Sequence, residues 1–176
     1  SVIDDSDFGV TDVVRGIDHL TNTAVQIEIF KNLSAGLPVF GHHSLIVDNS
    51  GENFSKRSGS LSIKSLKEAG IEAGAIVSKL VSLGTGDGLD LKNNIDELTP
   101  KFELNKFSTA PVKFEKEVLQ TISRKLIANL SVSEIAPFLD LIGVPDNIKE
   151  NFWMMAKDNI NSKDDLVDIW HLCKEG

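Results

Sequence analysis

From Ile63 to Cys173 the apolar residues recur at intervals of three and four, the period that gathers them on one side of a helix. Ile63 and Leu66 form a first segment stopped at Gly70, and Ile76, Val77, Leu80 and Val81 a second stopped at Gly84. A short helix is expected near 92–98, followed by an irregular stretch anchored by Phe102, Leu104 and Phe107. Phe114, Val118, Leu119, Ile122 and Leu126 make a stripe, and Ser131 with Glu134 forms a capping box ahead of Ile135, Leu139 and Ile142. Pro137 lies inside that segment and is expected to kink it or delay its start. Beyond Gly143, Pro145-Asp146 opens a helix through Ile148, Phe152 and Met155. Ser162 is placed to cap a last one that presents Leu166, Ile169, Trp170 and Cys173 to a core.

The first third reads differently. Val2-Ile3 is strand-like, and Val10 to Val14 is β-branched enough for a short strand ending at Arg15-Gly16. Thr21 or Thr23 can cap a helix with Val25, Ile27, Phe30 and Leu33 on its face, ended by Gly36-Leu37-Pro38. Val39-Phe40 and 44–47 look extended, and Asp48-Asn49-Ser50-Gly51 has turn composition. A polar loop, Ser55 to Ser60, separates this part from the helices. The alternation of Gly84, Gly86 and Gly88 reads as a linker, since the Lys-Ser/Thr that completes a phosphate loop is missing. The fold class expected is mainly α with a few short strands (α+β).

Charge narrows the function classes. Eighteen basic against 26 acidic side chains leave a net charge of −8. Residues 1–50 and 128–176 each carry −5, while 51–127 carry +2, so a polyanion would be met by the middle block. No apolar run approaches the roughly 20 residues that cross a bilayer, and the single cysteine fits a reducing compartment. The chain reads as soluble and cytoplasmic, without a membrane partner. It opens on Ser1 rather than Met, which suggests a piece of a longer protein.

Several residues could carry chemistry. Asp4 and Asp5 offer hard oxygen ligands, but neighbours in a strand point to opposite faces. His42-His43 lacks a third ligand nearby and reads as a hydrogen-bonded or solvated pair. Cys173 reads as core packing beside Trp170. Arg15, a lone guanidinium at a glycine turn after a strand, can fork onto a carboxylate or phosphate, or simply make a surface ion pair. Lys56-Arg57, among Ser55, Ser58, Gly59 and Ser60, is a cationic loop suited to phosphates, or a solvated one.

Two of these places gain meaning together. Val10-Thr11-Asp12-Val13-Val14-Arg15-Gly16 followed by Asp18-His19-Leu20-Thr21-Asn22-Thr23 closely resembles the back half of the catalytic domain of bacterial glutamyl-tRNA synthetases. Phe54-Ser55-Lys56-Arg57 is similar to the KMSKS loop of class I synthetases in this family's form. Phe40-Gly41-His42-His43, Arg124-Lys125-Leu126 and Phe152-Trp153 extend the resemblance over essentially the whole chain.

The resemblance implies a ligase that activates glutamate with ATP and Mg²⁺ and passes it to the terminal ribose of tRNA(Glu), with tRNA(Gln) an open second acceptor. It implies the end of a Rossmann-like domain at 1–20, a helical stem-contact region at 21–128 carrying the loop at 53–57, and the start of a helical anticodon-binding domain at 129–176. Carried over by position, Arg15 would pair with a carboxylate of glutamate. Asp18 and the Leu45-Ile46 backbone would lie at the ATP ribose and adenine. Asn53, Phe54, Ser55, Lys56 and Arg57 would face ATP, with Ser55, Lys56 and Arg57 catalytic and Lys56 stabilising the charge that develops as pyrophosphate leaves. No protein ligand set for a metal is implied, and the family pattern is monomeric.

Two positions depart from that pattern: Asn53 stands where the loop usually has Lys, and Ile17 where the family often has Glu. They favour the competing expectation, a non-catalytic RNA-binding module on the same fold. The HIGH-type motif is not among these residues, so the chain alone is expected to be inactive.

Overall fold

The computed structural model describes residues 1–52 and 62–175. The chain divides into two compact units, one holding residues 1–54, 83–86 and 103–114, the other 55–82, 87–102 and 115–176.

The first unit begins with helix α1 (Val2–Asp7) where a strand is expected. Asp4 and Asp5 lie in its first turn, where carboxylates complement the exposed amides, and no strand among the described residues pairs with Val2-Ile3. Strand β1 (Asp12–Gly16) then pairs in parallel with β2 (Val39–His43), in register from Asp12 opposite Val39 to Gly16 opposite His43. Parallel strands cannot be joined by a tight turn. Here a 3₁₀ turn (Ile17–His19) and helix α2 (Leu20–Asn32) make the crossover.

Because the turn starts at Ile17, neither Thr21 nor Thr23 is the cap; Thr23 is buried within α2 and its hydroxyl is used elsewhere. Of the expected apolar face, Phe30 is buried and Ile27 half-buried, while Val25 and Leu33 are exposed. A second parallel pair, β3 (Ile46–Val47) with β4 (Val112–Lys113), joins distant parts of the chain. Asp48 closes the turn between them and 51–52 by accepting from the amides of Ser50 (2.9 Å) and Glu52 (3.0 Å). Phe102 and Leu104 are substantially exposed, so neither is the buried anchor the sequence suggests.

The second unit is helical: α3 (Ile63–Glu68), α4 (Ala73–Ser82), α5 (Ile95–Leu98), α6 (Lys116–Ala128), α7 (Val132–Leu141), α8 (Lys149–Ala156) and α9 (Asp165–Glu175). α4 is held by two buried hydroxyls. Ser123 Oγ accepts from Glu72 N–H at 2.9 Å, and Ser78 Oγ accepts from Lys92 N–H (3.1 Å) and lies 3.2 Å from the Lys92 carbonyl, to which it donates. Gly74 lets the backbone at Lys92-Asn93 lie against α4, since a Cβ there would stand 2.7 Å from the Lys92 carbonyl oxygen.

The Ser131–Glu134 capping box forms as expected, and α7 runs unbroken across Pro137. Ile127, Ile135, Leu139, Phe152, Trp153, Leu166 and Trp170 belong to one core, with Trp153 Nε1 donating to the Leu130 carbonyl at 3.0 Å. Phe152 meets Trp170 edge to face at 5.5 Å. Cys173 lies outside this core and is exposed, because burial ends one turn earlier at Trp170. The entry to α9 is organised by Asp165, whose carboxylate accepts from the amides of Asn161 and Ser162, rather than by a Ser162 cap.

One ion cluster sets a pH dependence. Lys149, its stem buried, donates to Asp140 and Asp146. The Lys149 ammonium holds the Asp146 carboxyl below its usual range, and the bonds to Asp140 and Asp146 hold the ammonium above its own. A lowered folded-state carboxyl adds stability above its ordinary value of 3.8 and loses it as pH falls through the folded value. The raised ammonium adds stability below its ordinary 10.5 and loses it as pH climbs through the folded value. The thermal midpoint should therefore fall on acidification through the carboxylate range, and Asp146→Asn should flatten part of that fall. An unchanged acid limb in Asp146→Asn would remove this pair from the account.

Candidate functional site

Arg15 stands next to last in β1, opposite His42 in β2, at the carboxyl end of the parallel pair. In open α/β sheets that end is where ligands are received. Its Nη2 donates to Thr23 Oγ1 at 2.5 Å and to Gln26 Oε1 at 2.7 Å, and the guanidinium carbon lies 5.3 Å from the centroid of the Phe40 ring. Thr23 and Gln26 are three apart on α2, so one turn of helix delivers both to the same strand end.

Every partner of this cation is neutral. Among the described residues no carboxylate lies within ion-pair distance of Arg15, and its Nε is buried without a hydrogen-bond partner. A half-buried guanidinium held only by neutral groups is suited to receive an anion. Both Nη2 hydrogens are committed and Nε is buried, so a carboxylate arriving here meets Nη1.

The candidate nucleotide contacts gather beside it. Gly16 allows the Asp18 carboxylate and the Leu45 side chain to close in on the backbone: a Cβ there would collide with Asp18 Oδ1 and stand 3.1 Å from Leu45 Cδ2. Asp18 is exposed, with its other oxygen 3.9 Å from His19 Nε2. In the β3–β4 ladder, Val112 N–H donates to the Leu45 carbonyl (2.9 Å) and Phe114 N–H to the Val47 carbonyl (3.0 Å). That alternation turns the N–H and carbonyl of Ile46 to the opposite edge of a two-stranded sheet, a donor–acceptor pair of the kind a purine edge can meet. Asn53, Phe54, Ser55, Lys56 and Arg57 lie outside the described residues.

His42 Nε2 is 2.8 Å from Thr23 Oγ1 and His43 Nδ1 2.8 Å from the Ser44 carbonyl, so both histidines are hydrogen-bonded as expected. Among the described residues no three His, Cys, Asp or Glu side chains gather as a metal site. Thr23, Gln26 and Phe40 escape a reading of the sequence for chemistry, because they are neutral and meet Arg15 only in the folded chain. Their signal was positional: a Thr and a Gln at helical spacing just after a strand-end arginine.

In the helical unit, Arg124, Lys125 and Lys157 line a hollow of about 270 Å³ with Thr121, Asp158 and Ile160. Lys157 is half-buried, and none of the three cations has an ion-pair partner among the described residues.

Residues 1–121 match the family model of the catalytic domain of class I tRNA synthetases (E and Q). Glutamate–tRNA ligase 2 of Ruegeria sp. (strain TM1040) is 44% identical over all 176 residues, and glutamate–tRNA ligase 1 of Paracoccus denitrificans (strain Pd 1222) is 40% identical over the same span. The chain spans about 40% of the length of these curated relatives. Among solved structures, a glutamate tRNA ligase from Elizabethkingia meningosepticum, crystallised in complex with its amino acid, superposes with a TM-score of 0.79 at 22% identity. That match covers 97% of this chain and 39% of the other, and is a likeness of fold.

Proposed function

The chain belongs to the class I tRNA synthetases of the glutamate and glutamine type, and from that premise we propose that it forms the amino-acid and nucleotide edge of a glutamate–tRNA ligase. The observation that carries this reading is Arg15 at the carboxyl end of β1, held by neutral groups, with no carboxylate beside it among the described residues and with Nη1 left to meet an anion.

In the proposed reaction a carboxylate oxygen of glutamate attacks the α-phosphorus of ATP, the bond to the β-phosphate breaks, and pyrophosphate leaves. A hydroxyl of the terminal tRNA ribose then attacks the acyl carbon and releases AMP. Arg15 fixes the other carboxylate of the amino acid, so that the reacting one is presented in line. The exposed Asp18 carboxylate beside Gly16 suits the ribose of ATP, and the outward-turned N–H and carbonyl of Ile46 suit its base. Lys56, flanked by Ser55 and Arg57, meets the charge gathering on the phosphates, and Asn53 and Phe54 complete that loop. Mg²⁺ would enter with the ATP phosphates, whose charge it offsets, and Asp18 is the carboxylate beside the nucleotide space.

On the RNA side, the three cations around the Arg124–Lys157 hollow, unpaired among the described residues, suit a phosphodiester backbone despite the acidic balance of the chain. The acceptor is tRNA(Glu), with tRNA(Gln) the alternative to test, and the working form is a cytoplasmic monomer. The residues from 129 onward serve as the start of an anticodon-binding region.

The test grafts this chain in place of its 176-residue counterpart in the Ruegeria ligase and changes Arg15 to Gln. Loss of a charged hydrogen bond should raise the glutamate KM by about 10- to 100-fold and leave the ATP KM nearly unchanged. Equal rises in both would place Arg15 elsewhere in the reaction.

A further inference from the structure

Thr23 Oγ1 has three polar atoms within hydrogen-bond reach: Arg15 Nη2 at 2.5 Å, His42 Nε2 at 2.8 Å and the His19 carbonyl oxygen at 3.1 Å. A threonine hydroxyl has one proton to give and two lone pairs. The guanidinium can only donate, so it takes one lone pair, and the carbonyl can only accept. All three contacts are satisfied together in one arrangement: the hydroxyl proton goes to the His19 carbonyl, and the second lone pair receives a proton carried on His42 Nε2. The side chain is 5% exposed, so water does not substitute for a missing partner.

Gln26 holds the same Nη2 from one turn further along α2, and the face of Phe40 covers the guanidinium. Helix α2 thus contributes two contacts to the cation and the neighbouring strand one, while His19 and His42 hold Thr23 itself in place. Such a cation reaches a substrate carboxylate without first having to be ordered.

We propose that Thr23 and Gln26 are positioning residues for substrate recognition: they aim Arg15, and the neutrality of Gln26 keeps its charge available to the amino acid. This rests on the assignment of Arg15 to a glutamate carboxylate. Glutamine at position 26 is then a functional choice rather than the most stabilising one. Glutamate there would make an ion pair with Nη2, which strengthens the fold locally while cancelling the charge the substrate needs and repelling its carboxylate.

The experiment uses the same graft in the Ruegeria ligase with Gln26→Glu, Thr23→Val and Thr23→Ser, reading thermal midpoint, glutamate KM and ATP KM. Gln26→Glu should keep or raise the midpoint while raising the glutamate KM by about tenfold or more. Thr23→Val should raise the glutamate KM and not the ATP KM, with Thr23→Ser restoring it. Gln26→Glu with an unchanged glutamate KM overturns the proposal, since a merely structural Gln26 tolerates a stronger partner. Loss of midpoint in Thr23→Val with no effect of Gln26→Glu on KM does the same. The underlying assignment fails separately, when Arg15→Gln itself leaves the glutamate KM untouched.

Discussion

Trp153→Ala should cost the helical unit about 3–5 kcal/mol, a large part of the roughly 5–15 kcal/mol that holds a typical domain folded. The side chain is 1% exposed in a core built from four helices, so truncation removes buried area and leaves a cavity that neighbouring Leu139, Phe152 and Leu166 cannot fill without moving. It also strands the Leu130 carbonyl, which accepts from Trp153 Nε1 at the loop between α6 and α7. Denaturant unfolding should show the midpoint falling sharply, while Met154→Ala, one residue along and exposed, stays within about 0.5 kcal/mol of the parent. Similar midpoints for the two variants would contradict the packing described for this core.

The second large effect is on chemistry. Lys56→Ala in the graft should lower the rate of glutamyl-adenylate formation by about 10²- to 10³-fold, the usual result of deleting one positioned donor to developing charge. Since the phosphates gain charge only as pyrophosphate departs, kcat should carry the loss and the glutamate KM should stay near its parent value. A rate within a few-fold of the parent would remove Lys56 from catalysis and shift the role to Arg57 or Ser55.

Much of the helical unit was legible in the chain because its elements carry their own signals. Ser131 and Glu134 formed the capping box they spell, and the stripe from Leu119 to Leu126 is the buried face of α6. The failures share a physical cause. Val2-Ile3 is apolar enough for a strand, yet a strand needs a neighbour to bond, and a six-residue segment with acids in its first turn folds as a helix instead. Cys173 obeys the helical period but lies past the last residue that packs against it. Val25 and Leu33 also obey the period and are exposed, since period defines a face and not whether anything covers it.

The site was legible in a different way. Arg15 stood out as a cation at a strand end, with a guanidinium able to fork onto a carboxylate or phosphate. The partners that aim it were invisible, because Thr23, Gln26 and Phe40 are ordinary residues until the parallel register of β1 with β2 and the first turns of α2 bring them to one point. The outward direction of the Ile46 N–H and carbonyl is likewise set only by pairing with β4, more than sixty residues downstream.

The most direct measurement is attachment of radiolabelled glutamate to unfractionated tRNA, with ATP and Mg²⁺, by the 176-residue chain alone and by the graft in the Ruegeria ligase. The account predicts glutamyl-tRNA from the graft, abolished or severely slowed by Arg15→Gln at low glutamate, and none from the chain alone. A folded graft that binds tRNA yet attaches no glutamate would contradict it and leave an RNA-binding module as the reading of this chain.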